Sequence, residues 1–121
     1  MNWKGEIQMC TQSGAMTILE EVYTACQEIF PCKLSDAYLY GSYARGDYTN
    51  ESDIDILLLV SAERNDIALK RPLLAAVTSD LSLKHNITVS VTVKPINHFT
   101  QFLSVLPFYQ NILKEGIRYE L

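Results

Sequence analysis

The sequence predicts an α+β (α/β) fold, a small mixed β-sheet flanked by helices, on three observations. An amphipathic helical pattern comes first, two short apolar runs separated by a polar loop follow it, and a strictly alternating segment stands in the second half. The chain has 121 residues, 48% of them hydrophobic, which suits one domain and not two.

The helix is read over Thr17–Phe30, where Ile18, Leu19, Val22, Cys26, Ile29 and Phe30 recur at three- and four-residue intervals among glutamates. Pro31 stops it, because the residue before a proline is biased away from helix. Ala37–Tyr40 reads as a short strand, broken by Gly41 and Ser42, and the apolar run Ile54–Val60 reads as a buried one. Asp66 is expected to cap a helix carrying Ile67, Leu74, Val77 and Leu81, and Pro72 requires that helix either to start near Arg71 or to kink there. Ile87, Val89, Val91 and Val93 alternate with threonines and a serine, the period of a half-buried strand ended by Pro95. One or two short helices follow over Asn97–Leu106 and Pro107–Glu115, with Pro107 at a start and Gly116 at an end. Residues 1–16 fall outside this pattern and are expected to form a loosely ordered N-terminal extension to a single domain over 17–121.

Composition excludes several classes of function. Ten Lys and Arg against 14 Asp and Glu leave a net charge of −4, so no basic field exists to hold a nucleic-acid backbone in general. The longest apolar run, Ile56–Val60, is far shorter than the roughly 20 residues that span a bilayer. The first residues lack the apolar core of a secretory signal, and the expected location is cytoplasmic. Cys10, Cys26 and Cys32 are an odd number without zinc-like pairing and read as reduced, structural thiols.

The chemistry is concentrated in Gly41-Ser42-Tyr43-Ala44-Arg45-Gly46-Asp47 and the Asp53-Ile54-Asp55 that follows. Residues two apart on a strand share a face, so Asp53 and Asp55 aim two carboxylates at one point, where they would repel each other without a cation. Hard oxygen ligands at this spacing suit Mg²⁺, which takes its remaining ligands from water and phosphates. Gly41 lets a phosphate approach the backbone where the strand ends, the Ser42 hydroxyl and nearby amides can donate to it, and Arg45 can add positive charge. A phosphate cradle beside a metal site is what phosphoryl-type transfer needs, since positioning and charge neutralisation dominate its catalysis.

Gly41-Ser42, ten residues, then Asp53-x-Asp55, within the string GSYARGDYTNESDIDILLLV, resembles the signature of the DNA polymerase β-like nucleotidyltransferase superfamily, in particular its minimal nucleotidyltransferase branch. The likeness extends over the element order from about Thr17 to Gly116. It implies the polymerase β-like nucleotidyltransferase fold and transfer of a nucleotidyl group from ATP to a hydroxyl. Gly41, Ser42 and Arg45 would bind the nucleotide, and Asp53 and Asp55 the Mg²⁺ ions. Small proteins of this branch are similar to the antitoxin half of HEPN–MNT toxin–antitoxin pairs, which adds AMP to a tyrosine of a HEPN ribonuclease toxin. A HEPN-domain partner is therefore implied, with a homo- or hetero-oligomer left open.

Active members of the superfamily commonly carry a third carboxylate on a neighbouring strand, and Ile87–Val93 offers only Thr88, Ser90 and Thr92 there. Three readings stay open: a slower enzyme working with two aspartates, a site completed by another residue such as His85, or a degenerate nucleotide-binding module that acts by contact alone. For the rest, Arg45 divides between phosphate contact and a salt bridge to Asp47 or Glu51. Tyr40 and Tyr43 read as aromatic packing ahead of nucleotide stacking. His85, His98, Lys70, Lys84 and Lys94 read as surface or capping groups, and the apolar cluster from Phe99 to Tyr109 as core ahead of a partner patch.

Overall fold

In a computed structural model of the chain, which describes residues 10–120, the elements run α1 (Gln12–Ile29), β1 (Leu34–Tyr40), α2 (Ser42–Arg45), β2 (Ile54–Val60), α3 (Arg64–Leu69), α4 (Arg71–His85), β3 (Val89–Pro95), α5 (Ile96–Phe102), α6 (Pro107–Glu115) and β4 (Ile117–Arg118). The strands form one mixed sheet in the order β3-β2-β1-β4, with β2 parallel to β3 and antiparallel to β1. No helix among the described residues is long and apolar enough to cross a membrane.

Strand alternation divides the core into two layers. Ile54, Ile56, Leu58 and Val60 of β2 face α1, where Ile18, Leu19, Val22 and Cys26 are fully buried against them. Leu57 and Leu59 face the opposite way, onto Phe99 of α5 and Tyr109 and Ile112 of α6. β2 is thus buried on both faces, which is why its sequence is a continuous apolar run and not an alternating one. α4 has no fully buried residue and closes the first layer with Leu74, Val77 and Leu81 only partly covered.

β2 has the predicted bounds, and most other elements differ at their ends, where caps decide. α1 begins at Gln12, five residues before the expected Thr17, because the Thr11 hydroxyl accepts from the Gly14 N–H at 3.0 Å and so caps the first turn. Of the expected N-terminal extension, residues 1–9 lie outside the described residues. Asp66 does not cap: it sits inside the first turn of α3, and the chain turns at Lys70 so that Pro72 falls in the first turn of α4, where its missing N–H costs nothing. β3 starts at Val89 and not Ile87, because Asn86 adopts a left-handed conformation and the Ile87 N–H bonds the Ser82 carbonyl, closing α4. The short α2 and β4 were not foreseen.

All three cysteines are free thiols. Cys26 is buried, which pushes its thiol up to about 11 and leaves it protonated at neutral pH. Glu21 of α1 receives both Lys84 (2.6 Å) and His85 (2.5 Å) from the last turn of α4, pinning the two helices together. The Lys84 bond above all holds the Glu21 carboxyl below the usual glutamate range, burial opposing and His85 assisting.

Leu58→Ala is expected to destabilise the fold by about 2–5 kcal/mol, the cost of a cavity in a fully buried strand, read as a lower urea midpoint. Glu21→Gln is expected to cost up to about 1 kcal/mol at pH 7. Because the Glu21 carboxyl is depressed in the folded state, that difference is fully present above the ordinary glutamate range and is lost as the pH falls through the lowered folded value. Urea titrations of both proteins across acid pH measure it.

Candidate active site

β1 delivers the chain to the site and then turns sharply. Gly41 has φ 76° and ψ −156°, a region essentially restricted to glycine, and α2 begins at the next residue. A Cβ added at Gly41 would lie 2.5 Å from Oδ2 of Asp55. The glycine is therefore required twice, for its conformation and for the room it leaves the carboxylate.

The turn is held from below and from the side. Tyr43 is buried and stacks on Tyr48 with ring centroids 4.2 Å apart, anchoring both ends of the loop. Gln12 of α1 donates from Nε2 to the carbonyls of Tyr43 (2.9 Å) and Ala44 (3.3 Å), satisfying acceptors at the end of α2 that the short helix leaves open. Ser42 is the first residue of α2, where N–H groups have no intrahelical partner, and so it occupies the place expected of an anion-facing hydroxyl.

Asp53 precedes β2 and Asp55 is its second residue, on the face opposite α1. Asp53 is exposed and Asp55 half-buried. Burial first, then the Asp53 charge, raises the Asp55 carboxyl above its usual range, with Arg45 opposing. Two carboxylates close enough to perturb one another, with solvent on one side, make a fitting oxygen donor set for a divalent cation completed by water and phosphate. No cluster of three or more acidic, histidine or cysteine ligands occurs among the described residues.

The strand register identifies the neighbours of Asp55. Tyr40 pairs with it from β1 and Ser90 from β3, so all three project on one face. The Thr92 hydroxyl faces the Tyr40 phenol, which burial has pushed upward, and Phe108 of α6 packs edge-on against the same ring at 5.3 Å. Ser90 thus occupies the β3 position aligned with Asp55.

Of the other residues considered from sequence, Arg45 joins the group. Its Nε contacts Asp47 (3.2 Å) and its Nη1 reaches Glu115 of α6 (3.8 Å), not Glu51, while its charge is felt at Asp55. His85 does not complete the site: its ring is bound to Glu21 in the helical layer on the opposite face of the sheet. His98 is likewise committed, with Nδ1 2.6 Å from the Tyr109 hydroxyl. Lys84 is paired with Glu21, and Lys94 lies four residues beyond Ser90, opposite Leu59. Tyr43 is core, so of the two tyrosines only Tyr40 borders the carboxylates. Gln12 and Glu115 were missed because their roles arise from contacts 31 and more residues apart, for which a single sequence carries no local signal.

The nucleotidyltransferase domain family matches residues 19–119. Two proteins of Methanocaldococcus jannaschii that carry the provisional name of protein adenylyltransferase are similar to this chain. One is 30% identical over 98 residues, covering 81% of this chain and 90% of that protein. The other is 35% identical over 92 residues, covering 76% and 91%. Among solved structures, a crystal structure of a toxin–antitoxin with AMP-PNP shares the fold at a TM-score of 0.56 and 21% identity, covering 84% of this chain and 71% of that one.

Gly41→Ala is expected to cost the fold about 1–3 kcal/mol while displacing the Asp55 carboxylate. Metal-dependent binding of a nucleoside triphosphate should weaken at least about tenfold in titration calorimetry, equivalent to about 1.4 kcal/mol. Unchanged binding would remove Gly41 from the site.

Proposed function

The chain belongs to the nucleotidyltransferase domain family, and from that premise we propose that it transfers AMP from ATP to a hydroxyl of a partner protein, a HEPN-type toxin restrained by this chain as antitoxin. The observation that carries the reading is the packing of Asp55 against a turn whose glycine has no room for a side chain, with the Asp53 charge close enough to act on Asp55. The provisional names of the two archaeal relatives and the toxin–antitoxin neighbour with AMP-PNP support it. In this reading the chain acts in the cytoplasm, where ATP is at hand.

In this reading Asp53 and Asp55 hold Mg²⁺, which when bound neutralises phosphate charge and polarises the reacting phosphoryl group. The Ser42 hydroxyl and the first amides of α2 orient the triphosphate, and Gly41 keeps the backbone out of its way. Arg45 exchanges part of its contact with Asp47 and Glu115 for phosphate oxygens. The acceptor oxygen forms a bond to the α-phosphorus, the bond to the β-phosphate oxygen breaks, and pyrophosphate leaves. With Ser90 aligned with Asp55 in place of a carboxylate, the hydroxyl proton passes to solvent.

That same serine favours a second reading, a catalytically degenerate module that binds nucleotide and acts on its partner by contact. The two readings differ in one experiment. Asp53→Asn or Asp55→Asn should lower Mg-ATP-dependent AMP addition to a HEPN partner at least about a hundredfold, followed by intact mass. Mass gain in steps of one AMP, lost in these variants, supports the transferase; complex formation and ATP binding without mass gain supports the module, and Ser90→Asp should then restore transfer.

A further inference from the structure

β3 is an edge of the sheet, with no further strand beside it among the described residues. Its backbone orientation follows from two bonds. The Ile54 N–H donates to the Thr88 carbonyl at 2.9 Å, and the Val89 N–H turns away from β2 to the Ser82 hydroxyl at 2.9 Å. In a parallel ladder alternate residues point their N–H and C=O groups to the same side, so Ser90 and Thr92 serve β2 while Val91 and Val93 address the outer edge.

That outer edge opens into a groove of about 560 Å³ between β3 and α4. Twelve residues line it, and the two charged ones, Arg71 and Lys94, are both basic in a chain of net charge −4. Ser90 of this edge is the register partner of Asp55, so the edge also borders that carboxylate, on the face of the sheet away from α4.

We propose that this edge receives the acceptor: an extended, acidic segment of the partner protein adds to β3 as a further strand and presents a tyrosine across Ser90 to the site. The inference rests on the transferase reading above and specifies its substrate. An added strand lies two spacings of about 4.8 Å from β2. A serine or threonine hydroxyl on it stops short of Asp55, whereas a tyrosine extends over the small Ser90 side chain. The main-chain groups of Val91 and Val93 provide affinity, and Arg71 and Lys94 provide charge selection, in the manner of peptide recognition by strand addition.

The test uses the full chain with Mg-ATP and a short synthetic peptide of alternating valine and glutamate with a central tyrosine. Amide hydrogen exchange at Val91 and Val93 is expected to slow at least tenfold on peptide addition. Val91→Pro removes only an outward N–H, which an edge strand tolerates; it should raise the KM for peptide modification at least tenfold and leave acceptor-independent conversion of ATP to AMP unchanged. Should Val91→Pro fail to fold, Arg71→Glu should raise the KM for the acidic peptide and not for a peptide with glutamine in place of glutamate. Protection of Val91 and Val93 without AMP transfer supports the edge and counts against the transferase. Transfer that leaves Val91 and Val93 exchange unaltered and is indifferent to these substitutions overturns the edge and leaves the transferase standing. A peptide that is neither bound nor modified also overturns it.

Discussion

A strand buried on both faces can carry charge only at its mouth, and the molecule is arranged around that constraint on β2. From Ile56 to Val60 every side chain is completely covered, by α1 on one side and by α5 and α6 on the other. The rigidity this supplies is delivered to Asp55, whose backbone is paired to β1 and β3 at once. A carboxylate fixed in this way can be half-buried and raised in pKa without moving, because its strand has no alternative register that keeps the apolar residues inside. Asp53, one residue before the strand, remains exposed and adaptable.

The second element of the site is rigid for a different reason. Gly41 and the four residues of α2 are too short to be stable alone, and tertiary contacts supply what local propensity does not. Tyr43 fills the core beneath, Gln12 satisfies open carbonyls, and Arg45 ties the end of α2 to α6. The Gly41 turn is thus held by the core, α1 and α6, and Asp55 by the two strands beside it, which is how a small domain can preorganise a site without a large core.

Much of this was legible in the sequence. The Ile54–Val60 run is unambiguous because double burial removes polar residues from both faces, and the two aspartates at its entrance stand out against it. Gly41 before Ser42 was readable as a strand break, and the packing at Gly41 supplies the stronger reason, the proximity of Asp55. Helix and strand ends were less legible: Thr11 capping α1 and Asn86 closing α4 depend on hydrogen bonds that periodicity does not encode. The least legible facts were those of register. That Asp55 meets Tyr40 and Ser90, and that His85 meets Glu21, follows only once strands are aligned and helices packed, so the sequence could not choose among Thr88, Ser90 and Thr92 or dismiss His85.

The two sides of the sheet are unequal. β4 contributes only Ile117 and Arg118, fastened to β1 by the Tyr119 N–H to the Ala37 carbonyl and by Arg118 on Asp36 at 2.6 Å. A two-residue margin flanked by an ion pair offers too little backbone to template another chain. Among the described residues β3 is therefore the side of the sheet with a full run of outward main-chain groups, so any lengthening of the sheet by main-chain pairing would be directional, at β3 and not at β4.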